Sequence, residues 1–262
     1  MSPPPVPGPV PAIATHFRLH WTRLVRGRKL RLGLIAVTLV LLVAWAARYL
    51  NEDAVPAEVM QDVTGGGFFT LLVFLVPFLM HAGSIAEEVE GRTFGYLAGR
   101  PAGRLAIALG KYLAGTAMTL MLLIGGLLLA HVGIFLTEPS ALVDELGPTL
   151  QSAGALTLLA LYYGGLCQFW GAVAPEAAGI VATLHLAVLE FVFTWAPGIV
   201  RLVSMNHMAR TLADIPLGGL MVEHVPPVAA PAAVGVLALA TVVAVTLSTI
   251  VVQATEYRHG GA

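Results

Sequence analysis

The run LAVLEFVFTW sets a single carboxylate, Glu190, among apolar side chains. An ionisable group inside hydrocarbon costs about 2.5–3.5 kcal/mol if unpaired, so it is held for a reason. Three uses are open: a helix-to-helix contact, the lining of a water-filled path, or a proton relay. His131, in a second apolar run, is its candidate partner. Glu190, His131 and His185 together are the candidate lining of a translocation path, whereas His81 and His185 taken singly read as packing hydrogen-bonders. Ser84, His81 or Glu190 could serve a membrane hydrolase, but no serine–histidine spacing or G-x-S-x-G elbow supports that. The single cysteine, Cys167, excludes an internal disulfide or a cysteine metal site and reads as a buried small hydrophobe. Met205, His207, Met208, Met221 and His224 include soft ligands suited to copper, yet their spacing matches no metal motif and no metal site is assigned.

The densest charge lies elsewhere, in IAEEVEGRTFGYLAGRPAGR at residues 85–104. Glu87, Glu88 and Glu90 end a helix, Gly91 permits a sharp turn, Thr93 to Leu97 suits a short helix, and Gly99 and Pro101 stop it. Glu88 and Arg92 are spaced to pair across one turn, worth about 0.3–0.5 kcal/mol if exposed. Phe94 and Tyr96 have no apolar run nearby to join and suit docking into another protein. Gly110-Lys111 is not a phosphate loop: the required first glycine falls at Leu105, and Tyr112 follows the lysine. The chain carries no ATPase motif of its own.

The elements that position these groups follow from composition. With 57% hydrophobic and 11% charged residues, the chain reads as an all-α membrane protein, and a net charge of −1 offers nothing to nucleic acid. Crossing about 30 Å of hydrocarbon takes about 20 helical residues. Six segments qualify: 32–50, 66–86, 105–136, 151–173, 177–199 and 228–254. The third is longer than a span requires, which puts its first turns, around Arg104 and Lys111, at the interface. Basic residues cluster before the first span (Arg18, Arg23, Arg26, Arg28, Lys29, Arg31) and between the second and third (Arg92, Arg100, Arg104, Lys111), so both flanks and both termini belong in the cytosol. Residues 1–11 read as a disordered proline-rich tail, and 258–262 as a cytosolic tail after a membrane domain over 32–257. The Ala44-Trp45-Ala46 triplet resembles a signal cleavage site, but the long structured stretch before the run argues against one. Residues 12–31 form an interfacial helix with Ile13, Phe17, Trp21 and Leu24 on one face and Arg18, Thr22, Arg23 and Arg26 mostly opposite.

The charged stretch resembles a motif of the permease subunits of type-2 ATP-binding cassette exporters, of the form E-E-x-E-x-G-T, then P-x-x-R and G-K. Here it reads Glu87-Glu88-Val89-Glu90-Gly91-Arg92-Thr93, Arg100-Pro101-Ala102-Gly103-Arg104 and Gly110-Lys111, with Gly91 and Arg92 in the reverse of the commoner order. The specific motif covers about 25 residues; the architecture of an interfacial helix and six spans matches throughout. The resemblance implies a coupling helix between the second and third spans, with Glu87, Glu88, Glu90, Gly91, Arg92, Thr93, Phe94, Tyr96, Leu97, Arg100 and Pro101 engaging an ATPase on a separate chain. It further implies that ATP and magnesium are bound by that partner, that a second permease copy completes a homodimer, and that the assembly exports cargo from a bacterial inner membrane. A passive channel or assembly scaffold, like the membrane hydrolase, is the alternative.

Overall fold

A computed structural model describes residues 8–91, 103–196, 198–215 and 228–255. Among them the chain is almost entirely helical, with six helices long and apolar enough to cross a membrane. Helix α1, Pro9–Arg26, precedes the spans. The spans are α2 (Arg28–Leu50), α3 (Pro56–Glu90), α4 (Gly103–Phe135), α6 (Leu146–Val173), α7 (Pro175–Trp195) and α9 (Ala230–Ala254). Two short helices join them, α5 (Pro139–Asp144) before α6 and α8 (Met205–Leu212) between α7 and α9. This is an all-α, multi-pass membrane architecture.

Helix starts and stops obey local chemistry. Pro9, Pro56, Pro139 and Pro175 stand at first helical positions, where a missing N–H costs nothing. Gly27 adopts an extended conformation and separates α1 from α2, its N–H donating to Leu24 O at 3.0 Å. Gly103 has φ +70°, a conformation that suits glycine, where α4 begins. The helix extends back to Pro9, so residues 9–11, read from the sequence as part of a disordered tail, are helical: proline is compatible with the first turn.

Helix α6 lies at the centre, packed against α3, α4, α7, α8 and α9. The core fills with Phe68, Phe69, Leu72, Met118, Leu123, Leu156 and Tyr163, all fully buried. Apart from these faces, α2 and α9 leave most of their length uncovered, with Leu39, Leu42 and Val43 or Leu239, Val242 and Val243 outward. Such faces suit hydrocarbon.

Helix α1 docks differently from its sequence reading. The aromatic stripe Ile13, Phe17, Trp21 is only half-buried, whereas Ala12, His16, His20 and Leu24 are buried against α4. Gly110 makes this possible: a Cβ there would lie 2.6 Å from His16 Cβ and 2.8 Å from Ile13 O, so any side chain would push α1 away. Two histidines escaped notice because a hydropathy pattern scores them as polar.

Two spans contain wide, π-helical turns, Val63–Leu72 in α3 and Leu186–Val192 in α7. Such stretches shift the backbone register and are frequent at functional sites. Both lie against α8.

Candidate functional site

Two polar constellations stand at opposite ends of the bundle. The first is built where α3 ends and α4 begins. Lys111 of α4 is 2% exposed and places Nζ 2.5 Å from Glu88 Oε1 and 2.5 Å from Ser84 O. Its ammonium thus meets a carboxylate and a carbonyl of α3's last turns. A lysine in the first turns of a long span was expected to reach for the interface; instead it is buried, because Glu88 on α3 supplies the counter-charge. Arg23 of α1 stands 3.0 Å from Glu87 Oε2 and 3.7 Å from Glu88 Oε1, and Lys29 of α2 stands 2.5 Å from Glu87 Oε1. The acidic end of α3 therefore fastens α1, α2 and α4 together.

The energies divide unequally. The Arg23–Glu87 pair is about half exposed and contributes about 0.2–1 kcal/mol. The Lys111–Glu88 pair is almost wholly buried, so removing one partner alone costs about 3–5 kcal/mol. Arg104, the next basic residue of the stretch, donates from Nη1 to Gln253 O at 2.9 Å and Thr255 O at 3.1 Å. It caps the last carbonyls of α9, where positive charge is favoured.

Behind this cluster His20 of α1 is buried, and burial followed by nearby Lys111, His81, Lys29 and Arg23 pushes its imidazole down from 6.5 to about 2. It stays neutral at physiological pH. His81 of α3 occupies a slot between two other helices. Its ring lies against Gly115 of α4 and Gly164 of α6, where an added Cβ would come within 2.8 Å of Nε2 in each case. His81 Nδ1 faces Pro77 O at 3.1 Å, which requires the proton on Nδ1; Nε2 then accepts from Thr116 Oγ1 at 3.3 Å. Both ring nitrogens are engaged away from Ser84, whose hydroxyl is buried without a hydrogen-bond partner among the described residues.

Of the expected coupling residues, Glu87, Glu88, Glu90 and Gly91 are in place at the end of α3. Arg92, Thr93, Phe94, Tyr96, Leu97, Arg100 and Pro101 lie outside the described residues, so the Glu88–Arg92 brace does too. Among the described residues Glu88 is held by Lys111 and faces Arg23.

The second constellation surrounds Glu190. Its Oε2 accepts from Tyr163 OH of α6 at 3.0 Å, Met205 N at 2.9 Å and Asn206 N at 3.2 Å, with Ser204 Oγ at 3.2 Å. Ser204 caps α8 by accepting from His207 N, and Thr194 Oγ1 donates to Glu190 O. A carboxylate at a helix N-terminus with donors converging on one oxygen is well placed. The structure therefore realises the helix-to-helix contact among the three uses open to Glu190.

His131 and His185 are not brought to it. His131 Nε2 stands 3.0 Å from Leu142 O and Nδ1 2.8 Å from Thr149 Oγ1, closing α4 onto α5 and α6. The expected Glu190–His131 pair does not form, because Glu190 is satisfied by α8. His185 packs its ring against Trp170, centroids 5.8 Å apart.

The other end of α8 carries a residue that the sequence reading missed. Arg210 is 4% exposed and donates from Nη2 to Gly65 O at 2.6 Å and Thr70 Oγ1 at 2.6 Å, and from Nε to Asn206 Oδ1 at 3.1 Å. Asn206 Nδ2 donates to Phe69 O at 2.7 Å. These acceptors lie on the π-helical stretch of α3, so α8 is pinned to both irregular segments at once. Burial lowers Arg210 only to about 10, so it remains charged. The signal was available: an arginine one turn after a Ser-x-x N-cap in an apolar connector needs acceptors.

The soft-ligand group fares differently. Met208 is buried in the core, Met205 packs against it, and His207 is pushed to about 4 by burial and by Arg201 and Arg210. Met221 and His224 lie outside the described residues. Among the described residues no group of three or more His, Cys, Asp or Glu side chains is placed to hold a metal. Compared with protein-family models and with curated proteins, the chain matches none.

Proposed function

We propose that this chain is the membrane-spanning subunit of an ATP-binding cassette exporter of the type-2 class, moving cargo with ATP hydrolysed by a separate partner. The resemblance of residues 87–111 to the coupling motif carries the identification, and the buried Lys111–Glu88 contact is the structural observation that supports it. A lever between an ATPase and a membrane bundle must be stiff where it enters the bundle. Here the end of α3 is joined to α4 by Lys111, to α1 by Arg23 and to α2 by Lys29. A push on the segment between Gly91 and Gly103 is thereby delivered to four helices rather than to a loose loop. The passive scaffold reading has no use for a buried ion pair at that point. Under the proposal the ATPase docks from the cytosol against Phe94 and Tyr96, a second permease copy completes the transporter, and the membrane is the bacterial inner membrane.

Cys167 is the only cysteine and is buried, so under the proposal a cysteine introduced at Phe94 is the one thiol that a reagent reaches. In native membranes a Phe94→Cys variant treated with a short thiol-to-amine crosslinker should form an adduct with a nucleotide-binding protein. An adduct only with lipid, with itself or with no protein would sink the proposal.

A further inference from the structure

Between α2 and α3 runs a groove of about 570 Å³, walled by Val40, Val43 and Ala47 on one side and Gly67 and Leu71 on the other. It exists because α3 is irregular there. Three consecutive glycines, Gly65 to Gly67, lie in the π-helical stretch, and the helices touch at Gly67, where a Cβ would meet Val40 Cγ1 at 2.6 Å. Beside that contact Val59, Val63, Leu71 and Leu75 of α3 line the space without closing it. Its lining on α2 runs from Ala36 to Ala47, about 16 Å of helix axis, which is about half the 30 Å hydrocarbon thickness. The groove is therefore one leaflet deep, the depth of one acyl chain.

One charged residue lines it, Asp62, near the end where α2 turns into α3. Asp62 is exposed, and no hydrogen bond or ion pair engages it among the described residues. A second copy of this face brings no cation to it: Arg48, the basic residue at this end of α2, is held 2.7 Å from Glu138 Oε1. What fits an apolar channel one leaflet deep with an unmatched carboxylate at headgroup level is an amphiphile with a cationic head.

We propose that this groove holds an acyl chain of an aminophospholipid of the phosphatidylethanolamine class, its ammonium resting at Asp62. The inference rests on the groove and on the membrane-spanning architecture, and does not depend on the exporter reading.

The test uses the full chain in nanodiscs of phosphatidylcholine. Each disc is doped with a phosphatidylethanolamine or a phosphatidylglycerol that carries a photoreactive diazirine in one acyl chain. The labelled peptides are mapped by mass spectrometry. Expected is labelling on α2 and α3 around Val43 and Leu71, at least fivefold stronger with the ethanolamine probe. Asp62→Asn should bring the two probes to parity, and Val43→Trp, which fills the groove from an exposed position, should abolish labelling there by both. Equal labelling of the native chain by both probes overturns the headgroup assignment. Labelling spread over every lipid-facing helix, or unchanged by Val43→Trp, overturns the site. If Val43→Trp instead separates a dimer while the native groove takes no label, the groove belongs to a second copy and the proposal fails.

Discussion

Lys111 and Glu88, on opposite sides of the 92–102 segment, place Nζ and Oε1 2.5 Å apart in the protein interior. The contact closes the base of that segment, so whatever acts on the segment acts on α3 and α4 together.

Breaking this pair from one side leaves a buried charge. Lys111→Met or Glu88→Gln alone should cost about 3–5 kcal/mol, while the double variant, which leaves neither charge, should recover most of it. Thermal unfolding in detergent of the four proteins checks the cycle. Additive losses in the double variant would mean that the two residues do not act as a pair.

His81 is a steric test of the same region. Gly115→Ala or Gly164→Ala puts a methyl against the imidazole from α4 or α6, and each should destabilise by about 1–3 kcal/mol. Adding His81→Ala to either should relieve the clash. Unchanged melting temperatures in the glycine variants would show that the slot is looser than its geometry.

Acid should loosen α1. His20 binds no proton in the docked state until about pH 2, whereas free it binds one below about 6.5. The undocked state therefore holds more protons in that window. Docking is at full strength above about 6.5 and weakens as the pH falls towards 2, by about 1.4 kcal/mol per pH unit within the window. The opening constant of α1 in nanodiscs, taken as its hydrogen-exchange rate divided by the intrinsic amide rate at the same pH, should rise between pH 7.5 and pH 5.5 in the native chain and much less in His20→Leu. Equal rises in both would assign the effect to other groups.

The anchor at Glu190 separates a structural from a proton-carrying role. Glu190→Gln keeps an oxygen for the Met205 and Asn206 amides and should be tolerated. Glu190→Leu strands them and should cost about 1–3 kcal/mol per amide left unpaired. Arg210→Met should weaken the other end of α8 comparably. Loss of transport in Glu190→Gln with an unchanged melting temperature would point to a titrating carboxyl instead.

The spans were legible because hydropathy and helix length are set by the bilayer, and the acidic end of α3 because Glu87, Glu88 and Gly91 form a local pattern. Lys111, Arg104 and Arg210 were not, since each is decided by a partner far away in sequence: Glu88, the carbonyls ending α9, and Gly65 on a π-helical turn. Positive-inside counting took Lys111 and Arg104 as topology signals, yet both make specific contacts. Glu190 and His131 looked paired because their depths matched; depth says nothing of which face of a helix a residue occupies, and α8 supplied donors that no periodicity announces.

The most direct measurement of the central claim is co-purification. The tagged chain is isolated in nanodiscs from its native host and the eluate assayed for ATP hydrolysis, beside a Phe94→Ala, Tyr96→Ala double variant. The account predicts an ATP-hydrolysing subunit with the native chain, reduced at least tenfold in the variant while the permease itself remains folded. A native chain that brings down no ATPase, or a variant that retains it undiminished, would contradict the account.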